Sequence, residues 1–298
     1  MLKQILDRFP SIGCAYEDGA GKVNTEYYGA DENTIFPAAS MSKFVTALCL
    51  MKLYEDQTID INAPVNVWLK QWKLRTPDGQ ESDAAICSIM SHTAGIVDAE
   101  DGFYGLHRVT GEVSLMDILE GRTAYNNRPV RSERPQGTAF EYSDAGYCVL
   151  QLLVEEVTGQ SFEDALGKIV FDRLSLKSVR FVGCPDLAGA GLWITPREML
   201  TLGKVFVEAL GGKSGFLRAE TAREMGLPVA KFPWTGLGVF VSGEDTLMTR
   251  GWSENGQCMM KMNCRTGIVS VVMTNRNPEM DQSESGVEWL CDKNLRLY

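Results

Sequence analysis

The sequence of 298 residues predicts an α+β fold, in which a mixed, mainly antiparallel sheet is built from both chain ends and flanked by helices. Near the N-terminus, strand patterns at 12–16 and 23–28 surround a glycine-rich turn. Helical periodicity then dominates from about 84 to 170. The C-terminal third returns to strands, at 237–242, 257–262 and 267–273. This order favours one sheet that is interrupted by a largely helical insertion.

The predicted helices have recognisable ends. Ser40 opens a helix that reaches about residue 56, and Gly159 ends a second that begins at residue 144. Thr195 begins a third, because it is followed by proline in the first turn and by glutamate at the third helical position. A last helix is expected at about 284–295.

These elements predict two domains. A discontinuous α/β sheet domain comprises residues 1–60 and 195–298, and a mainly helical domain comprises residues 61–194. The stretch from 62 to 83 is polar and irregular, in contrast to the helical patterns that follow it.

Composition narrows the class of protein. A net charge of −10 and the absence of a Lys/Arg block argue against nucleic acid or an anionic membrane as the main partner. The N-terminus lacks the apolar run of a secretion signal, and the longest apolar run, 44–51, is too short to span a membrane. Eight cysteines without a CxxC pair indicate reduced thiols. We therefore expect a cytoplasmic enzyme, although a trimmed secreted chain would look the same.

The first candidate site is Ser-Met-Ser-Lys at 40–43. A serine three residues before a lysine at a helix start places the hydroxyl and the ammonium group on one face of the first turn. Partial burial would lower the preference of Lys43 for its charged state, so that it could act as a base for Ser40. The alternative is a serine cap beside a solvated lysine, which is the more common meaning of such a short pattern.

The second candidate is Tyr142-Ser143-Asp144, directly before a helical run. The phenol of Tyr142 could reach the serine and the lysine, ionise more easily near a cation, and relay a proton to the leaving group. The alternative is a packed aromatic ring with Asp144 as a helix cap.

The third candidate is Thr-Arg-Gly-Trp at 249–252, between two predicted strands. Gly251 would let a substrate approach the backbone closely, and Arg250 could hold a carboxylate. A surface turn with a solvated arginine is equally compatible with these residues. For an oxyanion hole, the backbone N–H of Ser40 is one candidate donor and that of Trp252 or Ser253 is the second.

Together these segments resemble the serine β-lactamase and penicillin-binding-protein-like superfamily, in the branch of class C β-lactamases, DD-peptidases and related esterases. Residues 36–44 resemble its nucleophile segment, 89–95 its "LLSHTSG" stretch, 142–147 its Tyr-Ser-Asn or Tyr-Ser-Asp motif and 189–198 its "GGL-STA-D" segment. The resemblance implies a β-lactamase/transpeptidase-like fold with the active site between the two domains. It also implies an acyl-enzyme on Ser40, with Lys43 as base partner and Tyr142 as proton shuttle.

Two departures concern the substrate. The third motif of the family is usually Lys-Thr-Gly or His-x-Gly, whereas here Arg250 would supply the cation from a neighbouring position. Asp144 replaces the common asparagine and adds a negative charge, which favours an amine-bearing or neutral ester substrate unless Arg250 offsets it. Substrate-binding residues are thus expected to be Asp144, Arg250, Gly251 and Trp252.

The two histidines are not expected to carry the chemistry. His92 could be a catalytic base, but the resemblance favours a structural residue near the active-site floor, and His107 has no partner pattern. Neither histidine lies in a ligand-spaced cluster, so we expect no metal and no cofactor. The aromatic residues Tyr27, Phe103 and Tyr104, together with Trp252, are candidates for the cleft lining.

Three functions remain open at this point. The first is a serine hydrolase that acylates Ser40 with a small-molecule ester, amide or D-amino-acid-containing peptide. The second is a penicillin-binding sensor or binding module with little turnover. The third is a scaffold without chemistry, against which the presence of Ser40, Lys43 and Tyr142 argues. The sequence does not indicate an oligomeric state.

Overall fold

The central sheet takes its strands from the two ends of the chain, as predicted. The computed structural model describes residues 1–18, 20–103, 113–183 and 187–296. Its strands are β1 Ile12–Glu17, β2 Val23–Tyr28, β3 Phe36–Pro37, β4 Val179–Phe181, β5 Leu192–Ile194, β6 Phe240–Gly243, β7 Thr246–Ser253, β8 Gly256–Asn263 and β9 Val269–Thr274. Six of them form an antiparallel sheet in the order β2-β1-β9-β8-β7-β6, in which Ile12 of β1 pairs with Thr274 of β9.

The C-terminal third contributes four strands to this sheet, where three were predicted. The additional strand is β7, which contains the Thr-Arg-Gly-Trp segment that was expected between strands. β7 pairs with β8 along its whole length but with β6 only as far as Met248. Within the described part of the chain, the stretch of β7 after Met248 therefore has no strand on its β6 side, and this open edge borders the site.

A second, three-stranded sheet with the order β3-β5-β4 was not predicted. Its strands are two or three residues long, too short for an alternating pattern to be recognised in the sequence. Pro37 pairs with Trp193, and the fully buried Phe36 pairs with Ile194. This small sheet fixes the chain directly before the predicted nucleophile.

Ten helices surround the sheets in the described residues: α1 Leu2–Leu6, α2 Ser42–Glu55, α3 Ile86–Met90, α4 Leu115–Leu119, α5 Asp144–Thr158, α6 Phe162–Leu166, α7 Pro196–Leu210, α8 Ala219–Gly226, α9 Gln282–Ser285 and α10 Val287–Arg296. Two predicted ends are confirmed. Gly159 ends α5 with a φ of 65°, and the Thr195 side chain accepts the N–H of Glu198 at the start of α7. The predicted last helix is divided in two, because Gly286 has a φ of 94°.

Helix α2 is buried on every side, with only its last turn reaching the surface. It belongs to one large core that includes Val271 of the central sheet and Leu150 of α5, so the core extends across both predicted domains. The two-domain division itself stays a prediction. Among the residues described, no helix combines the length and the apolar character needed to cross a membrane. The positions of Tyr104 and His107 lie outside the described residues.

Candidate active site

Ser40 lies in a short 3-10 turn, Ala39–Met41, and not in the first turn of α2 as predicted. The residue before it, Ala39, has a φ of 44°, in the left-handed region that costs a residue with a Cβ roughly 1–2 kcal/mol. The turn is held by the Ala38 N–H, which donates to Leu192 O at 2.8 Å, and by the Cys258 thiol, which donates to Ala38 O at 2.9 Å. Such strain is maintained by surrounding contacts and is common at functional sites. The 3-10 turn places Ser40 at the floor of a cleft.

The side chain of Lys43 is buried and uses its three donors. Its Nζ lies 3.2 Å from Ser40 Oγ, 2.5 Å from Asp144 Oδ1 and 2.9 Å from the carbonyl oxygen of Gly189. An ammonium group has three donors and no acceptor, whereas a neutral amine keeps one lone pair. The three acceptors therefore fit a protonated Lys43.

Electrostatics agree with this protonation state. Burial lowers the pKa of Lys43, but the carboxylate of Asp144 and the phenol of Tyr142 outweigh burial and raise the pKa well above its ordinary value of 10.5. The raised pKa opposes the expectation that burial turns Lys43 into a base; the role of Lys43 in the reaction stays a prediction. Asp144 likewise does not add a free negative charge to the cleft, because it pairs with Lys43 and its side chain is only 25% exposed.

Tyr142 precedes α5 and lies over the same lysine. Lys43 Nζ is 5.0 Å from the centre of the phenol ring, and both Lys43 and Ser40 interact with the phenol in a way that lowers its pKa. Burial is the larger effect, so the pKa of Tyr142 is raised above its ordinary value. The residue as a whole is 39% exposed, and it lines the cleft. At neutral pH the site thus holds a neutral phenol beside an ammonium group.

His92 supports Tyr142 from below. The two rings are stacked with their centres 4.4 Å apart, and His92 Nδ1 accepts the backbone N–H of Ser143 at 3.1 Å. Burial, and to a smaller extent the charge of Lys43, lowers the pKa of His92 well below its ordinary value. A neutral, buried histidine that accepts a backbone N–H fits the structural role preferred for His92 from the sequence.

Asp98 is a site residue that the sequence interpretation missed. Its carboxylate accepts the Ser143 hydroxyl at 2.7 Å and the backbone N–H groups of Asp144 at 2.8 Å and Ala145 at 3.1 Å. It therefore caps the start of α5, where a negative charge is favourable, and holds the segment that carries Tyr142. A carboxylate shortly after the Ser-His-Thr-Ala-Gly stretch was visible in the sequence, but nothing local connects it to residue 144.

Gly251 lets the Ala38 backbone approach β7 closely, whereas the sequence predicted the close approach of a substrate. A Cβ at this position would collide with the carbonyl oxygen of Ala38 and lie 2.6 Å from Cys258 Sγ. The missing side chain thus makes room for the nucleophile segment rather than for a substrate. Arg250 and Trp252 project from the opposite face of β7, are both exposed, and line the cleft. The charge of Arg250 contributes to a lowered pKa of Asp281, after the larger effect of hydrogen bonds from Ser283.

The cleft above Ser40 has a volume of about 1020 Å³. Of the aromatic residues predicted to line it, Phe103 and Trp252 do so. Tyr27 does not, because it belongs to β2 at the far edge of the sheet. In the described ranges, no three His, Cys, Asp or Glu side chains come together as metal ligands. The absence of a metal and a cofactor from the reaction stays a prediction.

Comparison with known proteins identifies the family. The model of the Beta-lactamase family matches residues 1–289, so the chain belongs to this family. The predicted resemblance is thereby confirmed, and with it the class of enzyme, the β-lactamase-related hydrolases.

Two curated relatives match part of the chain. Esterase EstB of Burkholderia gladioli is 29% identical over 157 residues, which are 51% of this chain and 39% of that protein. Teichoic acid D-alanine hydrolase of Staphylococcus aureus is 26% identical over 174 residues, which are 56% of this chain and 39% of that protein. The matched part thus spans about two fifths of each relative.

Solved structures share the fold over almost the whole chain. The D-amino acid amidase of Ochrobactrum anthropi SV3 superimposes with a TM-score of 0.76 at 17% identity and covers 100% of both chains. A penicillin binding protein of Bacillus halodurans gives 0.75 at 17% identity, covering 97% of this chain and 98% of that one. At these identities the likeness establishes the α+β fold.

Proposed function

We propose that this protein is a serine hydrolase that forms an acyl-enzyme on Ser40 with small ester or amide substrates. The observation that carries the proposal is the contact of Ser40 Oγ with Lys43 Nζ at 3.2 Å, with the phenol of Tyr142 beside both, at the floor of an open cleft. A nucleophile within reach of a proton-transfer group is the arrangement that acyl transfer requires.

Acylation can proceed without a free base at rest. Ser40 Oγ bonds to the substrate carbonyl carbon while its proton passes to the oxygen of Tyr142. In the same step the proton that Tyr142 carried moves to the oxygen or nitrogen of the departing group, and the bond between the carbonyl carbon and that group then breaks. In deacylation, water attacks the carbonyl carbon of the acyl-enzyme and gives a proton to Tyr142, while the phenol returns its own proton to Ser40 Oγ. The bond between the carbonyl carbon and Ser40 Oγ then breaks. Tyr142 is neutral before and after each step.

Lys43 then acts as a cation. Its ammonium group donates to Ser40 Oγ, orients the nucleophile, and stabilises negative charge that develops on Ser40 or Tyr142 during proton transfer. Asp144 keeps Lys43 protonated and in place. The proposed oxyanion hole uses the backbone N–H of Ser40 together with that of Trp252 or Ser253 on the open edge of β7.

The substrate class follows from the charges in the cleft and from the relatives. Because Lys43 neutralises Asp144, the exposed Arg250 is a cation available to a substrate carboxylate. The relatives comprise an esterase, a teichoic acid D-alanine hydrolase and a D-amino acid amidase. Simple esters and the esters or amides of D-amino acids are therefore the first substrates to examine.

The decisive experiment is mass spectrometry of the intact protein after mixing with a p-nitrophenyl ester, a D-amino acid amide or a fluorescent penicillin. We expect an acyl adduct on Ser40, turnover of at least one of the first two compounds, and neither adduct nor turnover in Ser40→Ala. Stable labelling by penicillin without turnover would instead identify a penicillin-binding sensor. Equal turnover by Ser40→Ala would exclude the proposed nucleophile.

A further inference from the structure

A continuous row of aromatic rings begins at Tyr142 and runs along one side of the cleft. The Tyr142 ring is stacked with Phe240 at 6.4 Å, Phe240 meets Phe140 edge-on at 6.4 Å, and Phe140 meets Trp234 edge-on at 6.0 Å. We call Phe140, Trp234 and Phe240 the aromatic wall. All three line the same cleft as Ser40.

The aromatic wall is accessible and apolar. Trp234, at its outer end, is 47% exposed, and Phe140 and Phe240 are partly exposed. Met248 of β7, which pairs with Phe240 of β6, lies on this side of the cleft, and Val241 also lines the cleft. A contiguous set of accessible rings beside a cleft is typical of a ligand-binding groove.

The polar lining lies in the other direction along β7. Arg250 follows Met248 on the same face, about 7 Å further along the strand. Beyond it come Trp252, which is 54% exposed, and the polar residues Ser253, Glu254 and Asn255; Asp281 also lines the cleft. The cleft therefore has an apolar end at the aromatic wall and an end past Arg250 at which polar and charged residues surround a single tryptophan.

The position of Tyr142 assigns the apolar end to one half of the substrate. In the proposed function Tyr142 gives its proton to the departing oxygen or nitrogen, so that atom must lie within hydrogen-bond distance of the phenol oxygen. The group attached to it then extends from Tyr142, and the surface that continues from Tyr142 is the aromatic wall. The acyl half then occupies the remaining lining of the cleft, which includes Leu187, Ala190 and Trp193.

We propose that the aromatic wall is a leaving-group subsite, which selects esters or amides whose alcohol or amine half carries an aromatic ring. This inference rests on the proposed function. It adds a substrate preference, which the catalytic residues alone do not determine.

Two isomeric esters test the proposal directly. 2-Phenylethyl acetate carries the ring on the alcohol half, whereas ethyl phenylacetate carries it on the acyl half, and both leave an unactivated primary alcohol. We expect kcat/KM for 2-phenylethyl acetate to be about tenfold higher than for its isomer, the size of discrimination that an apolar pocket supplies. Trp234→Ala should remove most of this preference, and Phe140→Leu should reduce it by a smaller factor.

Trp193→Ala is the matched control, because it truncates another tryptophan of the same cleft, outside the aromatic wall. It should leave the preference for 2-phenylethyl acetate intact or increase it. A wild-type preference for ethyl phenylacetate, no preference, or an equal loss of preference in Trp234→Ala and Trp193→Ala would each overturn the leaving-group subsite. Hydrolysis of both esters by Ser40→Ala at the wild-type rate would instead overturn the proposed function, so the two failures are distinguishable.

Discussion

Two buried lysines, Lys43 and Lys261, have similar surroundings, but we expect them to have different roles. Lys43 is 3% exposed and pairs with Asp144 of α5. Lys261 of β8 is 5% exposed and pairs with two carboxylates of α10, those of Glu288 at 2.9 Å and Asp292 at 2.7 Å. The pKa of each lysine is raised, because the carboxylates outweigh the effect of burial.

The two lysines differ in the groups that accept hydrogen bonds from the ammonium group. Lys261 gives its hydrogen bonds to two carboxylates and thereby attaches α10 to the sheet. Lys43 has one carboxylate, and its other donors go to the carbonyl of Gly189 and to Ser40 Oγ, which borders the cleft. Burial and a raised pKa are therefore common to both lysines, and what distinguishes Lys43 is the adjoining hydroxyl and phenol.

Substitution of the two lysines should separate these roles most strongly. Lys43→Met should lower kcat by roughly 100- to 10,000-fold, because Ser40 loses its orienting donor and the charge that develops in proton transfer is no longer stabilised. Lys261→Met should leave kcat/KM unchanged and lower the melting temperature, since α10 loses its polar attachment. Ester hydrolysis and thermal unfolding of both variants give the comparison. Equal activity losses would mean that both lysines act only through folding.

The two tyrosines beside Lys43, Tyr142 and Tyr147, allow a second comparison of a catalytic with a structural role. Tyr142→Phe should lower kcat by about 100-fold or more with little change in KM, because only the transferable proton is removed. The centre of the Tyr147 ring lies 5.3 Å from Lys43 Nζ, but the Tyr147 hydroxyl donates to the carbonyl of Met90. Tyr147→Phe should therefore affect stability more than kcat. A fully active Tyr142→Phe enzyme would exclude the shuttle.

A smaller effect is expected from the strand that supports the nucleophile. In Gly251→Ala the new methyl group would displace Ala38 and shift Ser40, so kcat should fall about tenfold while the protein still folds. Gly215→Ala is the control, because a Cβ there meets no atom within 4 Å. The acylation rates of the two variants, followed by stopped-flow mixing with a p-nitrophenyl ester, measure the difference. Identical rates would show that Ser40 does not depend on this contact.

The sequence was informative where the relevant contacts are local or form a recognisable motif. The alternation of the strands, the glycine that ends α5, the cap at the start of α7 and the spacing of Ser40 and Lys43 can all be predicted in this way. The protonation state of Lys43 could not be predicted, because the direction of its pKa shift depends on Asp144, which is 101 residues away in the sequence. The aromatic wall likewise combines residues near 140 with residues near 240, which only the folded chain brings together.

The same long-range pair determines how the protein responds to pH. Because the pKa of Lys43 in the folded protein is raised above 10.5, the pair stabilises the folded state below about pH 10.5 and loses this contribution as the pH rises through the raised pKa. Asp144→Asn removes the cause that keeps Lys43 charged, and burial then lowers the pKa of Lys43 without opposition from a carboxylate at residue 144.

The pH dependence of Ser40 acylation in Asp144→Asn, compared with the wild-type protein, tests the central claim that Lys43 works as an ammonium group. We expect the wild-type rate to be maintained up to about pH 10. The variant should lose activity at a lower pH, because its Lys43 loses the proton earlier. Faster acylation by Asp144→Asn than by the wild type near neutral pH would contradict the claim, since it would mean that a neutral Lys43 accepts the proton of Ser40.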